Sequence, residues 1–537
     1  MSKLPFVGDG LRLRVDWRTS VALTGRVVKY LAVPLLVPLV TALLYGEDIA
    51  VFAVSIAFVF LFGFVIERAA PEPDLGPREA LLMVALTWFT VAVVGTLPYL
   101  LAGMGTDSTL AHPVNALFES MSGFTTTGAT VMGSISLERH SHALLIWRQL
   151  TQWIGGMGIV VLAVAILPEL SVGGAQLMDA EAPGPGIEKL TPRIAETARA
   201  LWLVYAGITL LEILLLFGLH LGGLAPNLDG AVAGTDHAAA AYNAIAHGLT
   251  TMPTGGFSPE ARSIEAFSAA VQWLIVPFMF AAGVNFALTW RLVGGDFRAL
   301  LEDTEFRAYV GIIGVFTAIM TGLLFTGGIE PASAAFREPY GAIPGNVEAS
   351  LRHAVFQTLA MITTTGYASI DFNAWSQPLK YVMLFAMFVG GSAGSTGGGI
   401  KIVRWVVIIK SVKRELFTTV HPEAVSPVRL GGNAIDERAV RGIQTFTLLY
   451  MLCFGAGAAL LMLDAARVGY DISAFEGMAA AASTVGNVGP GFGALGPMNS
   501  YLNFPDTSKL LMVFLMWIGR LEIISVLALF TRSYWQS

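Results

Sequence analysis

Apolar runs long enough to cross a lipid bilayer recur from one end of this chain to the other, and nothing else in it restricts the fold so strongly. A backbone inside hydrocarbon must satisfy its own N–H and C=O groups, so runs of about 20 apolar residues are expected as helices. They are read at 22–45, 49–67, 79–103, 143–168, 196–221, 268–293, 306–328, 378–415 (interrupted), 439–464 and 508–532, ten spans in all. Only 13% of the residues are charged, against roughly 25% in ordinary soluble domains. The polar, basic start leads into a run long enough to span, which does not read as a cleavable leader. The single cysteine, Cys453, excludes an intrachain disulfide and most thiolate metal sites.

Four shorter segments lie between pairs of spans, at 113–124, 238–252, 349–362 and 472–485. As helices they are roughly one to two dozen ångströms long, too short to cross. Each runs into a loop of small and hydroxyl residues that ends in glycine: Thr125-Thr126-Thr127-Gly128, Pro253-Thr254-Gly255-Gly256, Thr363-Thr364-Thr365-Gly366 and Gly486-Asn487-Val488-Gly489. An apolar residue follows each glycine, namely Ala129, Phe257, Tyr367 and Pro490. The glycines are separated by 128, 110 and 123 positions, so the repeating unit is a whole structural module. Asn115 and Asn243 each stand 13 positions before their glycine, and Phe118 and Phe356 each stand 10 before theirs. In the fourth loop either Gly486 or Gly489 can hold the equivalent place; Pro490 favours Gly489. The predicted fold is an all-α polytopic membrane protein with four pseudo-symmetric helix–pore-loop–helix repeats around one pore. The repeats are placed at 78–170, 190–295, 303–418 and 437–537, with an N-terminal helix pair at 1–70.

Basic residues order the topology. Arg12, Arg14, Arg18, Arg26 and Lys29 lie at the start, Arg68 and Arg78 between spans two and three, then Lys189, Arg193 and Arg199, then Arg291, Arg298 and Arg307. Lys401, Arg404, Lys410, Lys413, Arg414, Arg429, Arg438 and Arg441 follow the third repeat. These alternate linkers are expected on the cytoplasmic side with both termini. All four glycine loops then open on the opposite face, as a shared pore requires.

A threonine run presents backbone carbonyls and hydroxyl oxygens, and glycine reaches positive φ without a steric penalty, so such a loop can turn its carbonyls toward an axis. Oxygen ligands suit hard cations, and carbonyl rings suit potassium. The preceding half-helix points its partly negative C-terminal end at the same place. Ordinary Thr/Gly turns would explain one such loop but not four at module spacing.

At these residues the chain resembles the Trk/Ktr/HKT superfamily of potassium uptake proteins. The resemblance is carried by Glu119-Ser120-Met121-Ser122-Gly123-Phe124 running into the first loop and Ala129-Thr130, by Thr254 to Ser258, by Thr363 to Tyr367, by Asn487 to Gly491, and by Gly519-Arg520-Leu521-Glu522. It covers nearly the whole chain, and the extra N-terminal pair is typical of the Trk branch. The resemblance implies potassium as the transported substrate and no tightly bound cofactor. It places the filter at Thr125, Thr126, Thr127, Gly128, Thr254, Gly255, Gly256, Thr363, Thr364, Thr365, Gly366, Asn487, Val488 and Gly489, with potassium held at Thr126, Thr127, Gly255, Gly256, Thr364, Thr365, Asn487 and Val488. It further implies a homodimer in membrane lipid of the bacterial inner membrane, with a cytosolic nucleotide-binding regulatory subunit and no nucleic-acid partner. The second loop departs from Thr-Thr-Thr-Gly through Pro253 and Gly255, and the fourth through Gly486 and Asn487, so those loops supply fewer hydroxyls.

Two further features bear on gating. The run Gly390-Gly391-Ser392-Ala393-Gly394-Ser395-Thr396-Gly397-Gly398-Gly399 interrupts the last span of the third repeat. So many glycines, at about 1 kcal/mol each relative to alanine, do not hold a helix, and irregular backbone at membrane depth is tolerated where it lines a cavity. Gly390, Gly391, Gly394, Gly397, Gly398 and Gly399 are therefore read as a gate, a loop the superfamily also has there; a simple hinge is the alternative. Arg520 lies in the apolar stretch from Met516 to Leu529, where an intramembrane charge faces a cavity or a partner. It is read as the second part of the gate, on the pore path as in the superfamily, or as a structural partner of Glu522. Glu119, Arg148, Glu212 and His247 are further polar groups in apolar surroundings, with support of the loops the preferred role for Glu119 and His247. A sodium-permeable or cation-coupled member of the superfamily, a membrane enzyme built on Glu119 or His247, and a structural scaffold are the competing readings. No Ser/His/Asp set, phosphate-cradling loop or His/carboxylate metal spacing favours the enzyme.

Overall fold

The computed structural model describes residues 15–70, 76–161, 194–225, 236–329 and 342–536. The predicted end of the first repeat, the start of the second, and Arg12, Arg14, Lys189 and Arg193 lie outside the described residues. Within them the chain is helical, apart from one short antiparallel pair in which Arg429–Leu430 meets Asn433–Ala434. Apolar side chains fill the interior and also cover much of the outside. Leu44, Phe385 and Leu463 stand exposed, while the threonines of the glycine loops are 0% exposed. Such a surface suits hydrocarbon surroundings.

Among the described residues five helices are long and apolar enough to cross a membrane: Ile49–Glu67, Arg78–Gly103, Ala198–Leu221, Thr304–Phe325 and Glu437–Val468. Several predicted spans are instead broken. The run 22–45 is two helices, Trp17–Tyr30 and Leu36–Tyr45, interrupted around Pro34, which has no N–H to give. The run 268–293 divides into Ala269–Ala282 and Phe286–Val293, bent by 107°, because Asn285 leaves the helix and caps the next one through Ala287 N at 2.8 Å. The run 378–415 divides into Gln377–Ala386 and Ile402–Val420 around the glycine-rich segment, as anticipated. The run 508–532 stops at Arg520 and restarts at Ile524, with Glu522 at a φ of 57°.

The four short segments are helices at Pro113–Phe124, His237–Thr251, Val347–Ile362 and Ala474–Gly486. Their starts are fixed locally. Proline opens the first, where its missing N–H costs nothing. Asp236 and Asn346 cap the second and third, and Ser473 with Glu476 forms a capping box on the fourth. All four point their C-terminal ends at the glycine loops. Packed against Pro77–Val94, where Ser20 Oγ donates to the Glu79 carbonyl at 2.8 Å, Trp17–Tyr30 also pairs with Ile49–Glu67. They approach closely at Gly25 and Gly63, where an added Cβ would strike the opposing backbone, the small-residue crossing common between membrane helices. Arg26 joins them further through Glu67 at 2.8 Å.

Candidate functional site

The four glycine loops share one backbone. Thr126, Thr254, Thr364 and Asn487, each two positions before its glycine, have φ of 52°, 57°, 60° and 54°. Gly128, Gly256, Gly366 and Gly489 have φ of 82°, 75°, 71° and 109°. For a non-glycine residue the left-handed region costs about 1–2 kcal/mol, so three β-branched threonines held there form a strained set that the surroundings must impose. The same pattern resolves the register of the fourth loop. Gly486 ends the helix and Asn487 is its left-handed cap, which makes Gly489 the counterpart of the other three glycines.

The loops close into a ring. An added Cβ would strike the Gly255 carbonyl oxygen at Gly128, the Thr365 oxygen at Gly256, the Val488 oxygen at Gly366 and the Thr127 oxygen at Gly489. Each glycine therefore abuts the carbonyl oxygen just before the glycine of the next loop, in the order one, two, three, four and back to one. Thr125 and Thr127 hydroxyls pair at 2.7 Å, and Thr363 and Thr365 do the same at 2.7 Å. In the fourth loop the Asn487 amide takes the place of a hydroxyl, donating to Thr127 Oγ1 at 3.0 Å and to the Met516 carbonyl at 2.9 Å. A vestibule outside the ring is lined by all four loops, among them Gly128, Gly256, Gly366 and Gly489.

Residues nine positions before three of the glycines brace the chain just after them. Glu119 accepts from Thr130 Oγ1 at 2.9 Å and from Val131 N at 2.9 Å. His247 Nε2 meets Ser258 Oγ at 2.9 Å, and Gln357 accepts from Ser369 N at 2.9 Å. Ala480 holds this place in the fourth repeat, where Tyr501 donates to the Gly489 carbonyl at 2.9 Å. The buried Arg148 joins repeats one and two. It pairs with Glu119 at 2.6 Å, donates to the Ser258 carbonyl at 3.1 Å and lies 3.5 Å over the Phe257 ring. Neither charge of this pair is left bare, as burial demands. Glu212 is buried on the long helix Ile194–Leu221. Among the described residues no group of three or more His, Cys, Asp or Glu side chains converges as a metal site.

The glycine-rich segment lies directly beneath the ring. The Gly398 N–H donates to Thr364 Oγ1 at 2.7 Å, and a Cβ at Gly397 would stand 3.1 Å from the Thr363 carbonyl oxygen. Thr396 Oγ1 reaches the carbonyls of Met252 at 2.9 Å and Ala282 at 3.1 Å. Ser392 N bonds the Gly283 carbonyl at 2.9 Å, where the second repeat's helix breaks. Arg520 donates from Nη1 to the Thr396 carbonyl at 2.8 Å, and its Nε and Nη2 are buried with no partner among the described residues. Glu522 does not pair with Arg520; it pairs with Arg404 at 2.6 Å.

Two contributors escaped the sequence reading. Glu305, at the start of Thr304–Phe325, accepts from Ala393 N at 2.7 Å and from Val403 N at 3.2 Å, clipping the glycine-rich segment across its base. Gln152 reaches the second loop from the helix His142–Val161. A charged residue beginning a span and a glutamine inside one were visible, but nothing in their spacing says what they meet.

The TrkH family, described as cation transport proteins, matches residues 49–537. The chain is 35% identical over 532 residues to the Trk system potassium uptake protein TrkH of Vibrio parahaemolyticus, covering 97% of this chain and 100% of the relative. It is 34% identical over 528 residues to the protein of the same name from Escherichia coli K12, with 97% and 100% covered. It is 32% identical over 531 residues to the TrkG protein of that organism, with 97% and 99% covered. The crystal structure of the potassium transporter TrkH from Vibrio parahaemolyticus is similar at a TM-score of 0.79 and 31% identity, covering 97% of this chain and all of that one.

Proposed function

The chain belongs to the TrkH family of cation transport proteins, and on that premise we propose that it carries potassium across the bacterial inner membrane through a filter made by its four glycine loops. The observation that carries this reading is the closed ring, in which the carbonyl oxygen before each glycine packs against the glycine of the next loop. Such a ring replaces an ion's hydration shell without a formal charge, and the four short helices add their C-terminal dipoles. Potassium is the substrate, held at the carbonyl and hydroxyl oxygens of Thr126, Thr127, Gly255, Gly256, Thr364, Thr365, Asn487 and Val488.

Residues 390–399 and Arg520 act as the gate. Segment and guanidinium occupy the path below the ring, and the charge repels a cation that has passed it. The basic residues from Lys401 to Arg441 lie on the gate side, which the distribution of Lys and Arg assigns to the cytoplasm with both termini. They offer a docking surface for a cytosolic nucleotide-binding subunit, and the protein works as a homodimer.

Rubidium uptake into proteoliposomes holding this chain alone, competed with potassium, sodium and lithium, tests the reading. Block by potassium with weak block by sodium is the expected result. Equal block by sodium would make the chain a sodium-permeable member of the family. Replacing Arg520 by Ala is expected to raise uptake measured without any partner, and Arg520→Lys, which keeps the charge, to raise it less. A folded Arg520→Ala protein with normal uptake would remove Arg520 from the ion path.

A further inference from the structure

The ring is not four equal oxygens. Gln152, fully buried on the helix His142–Val161, donates from Nε2 to the Gly255 carbonyl at 2.7 Å and accepts from Phe257 N at 3.0 Å. One planar amide thus grips the second loop on both sides of Gly256. Among the described residues the matching oxygens of Thr127, Thr365 and Val488 receive no donor. Gly155 packs on Phe124 as Gly519 does on Val485, and Gly156 on Pro253 as Gly283 does on Thr363, so the positions matching Gln152 in the fourth and second repeats are Met516 and Met279, neither with an amide to give.

The same contact accounts for a departure in the sequence. Loops one and three carry threonine just before the glycine, whereas loop two carries Gly255. A Cβ at Gly255 would collide with the Gln152 amide and meets no other neighbour so closely. Gln152 and the missing side chain at 255 are therefore two halves of one arrangement.

We propose that Gln152 is a specificity-determining positioning residue: by donating to the Gly255 carbonyl it weakens one of the four ring oxygens and fixes the orientation of that peptide, which sets how the ring discriminates among alkali cations. A carbonyl that accepts a hydrogen bond offers less electron density to an ion, and field strength decides which ion size the ring prefers. Freeing the oxygen strengthens the field, which favours tighter cation binding and a smaller ion. This inference rests on the filter reading above.

The test uses the full chain with Gln152→Met, which keeps length and volume and removes the amide. Initial rubidium uptake is measured against rubidium concentration and against competing sodium. The expected result is a lower KM and stronger sodium competition, each by about fivefold, the scale of one hydrogen bond to a carbonyl. An assembled variant with unchanged KM and unchanged sodium competition overturns the proposal. A second measurement needs no variant. With ¹⁵N-glutamine and ¹³C-carbonyl glycine labelling, Gln152–Gly255 is the one glutamine-amide to glycine-carbonyl hydrogen bond among the described residues. Its solid-state NMR correlation is expected to move when potassium is exchanged for sodium. A correlation that is absent, or indifferent to the ion, overturns the proposal even where Gln152→Met does not assemble. Wild-type uptake run alongside separates the two levels: a wild type that potassium does not block fails the filter reading, and a normal wild type beside an unchanged variant fails only the role of Gln152.

Discussion

Gly256→Ala is expected to abolish selective rubidium uptake, with a loss of tenfold or more in rate or in discrimination against sodium. Two independent costs fall on this one methyl group. Gly256 has a φ of 75°, a conformation that costs an L-residue about 1–2 kcal/mol. The Cβ would also overlap the Thr365 carbonyl oxygen, which is backbone and cannot swing aside as a side-chain tip would. Relief requires the second and third loops to separate. Because each loop abuts the next, the displacement passes round the ring, and a tenfold change needs only about 1.4 kcal/mol. Gly455→Ala is the control. It lies in the helix Glu437–Val468 with nothing within 4 Å of the added atom, and alanine there favours the helix by about 1 kcal/mol. Both proteins are purified, checked by thermal unfolding and compared for potassium-blocked rubidium uptake. A folded Gly256→Ala protein with normal selectivity would show that the ring does not make the selection.

Deleting Gly394 to Gly398 is expected to give a constitutively leaky pore, with rubidium uptake by the chain alone raised above that of the wild type. The deletion removes Thr396, and with it the bonds to Met252 and Ala282 and the acceptor for Arg520, together with the Gly398 N–H that holds Thr364. On the proposed reading, what is lost is a plug pinned to the second and third repeats and to Arg520 of the fourth. Thr396→Val removes two of those bonds with little change in volume and is expected to leak to a lesser degree. Uptake by the deleted chain that stays at the wild-type level would sink the gate, provided thermal unfolding shows the protein assembled.

Much of the architecture was legible because membranes leave few choices. A long apolar run must be a helix, so Ile49–Glu67, Thr304–Phe325 and Glu437–Val468 fell within a few residues of their predicted ends. The short helices were legible from length and from the loops they enter. Breaks were harder to read. Asn285 and Glu522 sit in strongly apolar stretches, and hydropathy reports the stretch, not the turn. The first break is a capping event at Asn285. The second accompanies an ion pair between Glu522 and Arg404, 118 positions apart. Neither partner choice follows from local pattern.

By itself the sequence determined that the chain is helical, that it repeats four times, and that each repeat delivers a glycine-ended loop, because apolar length, glycine and threonine act within a few residues of themselves. Only the tertiary structure decided that Gly489 and not Gly486 completes the ring, that Glu522 serves Arg404 and not Arg520, and that Gln152 and Glu305 reach the second loop and the glycine-rich segment. Those outcomes depend on which donor meets which acceptor 88 or more positions away in the chain, and in a dry interior each such group must find a partner wherever packing has brought one.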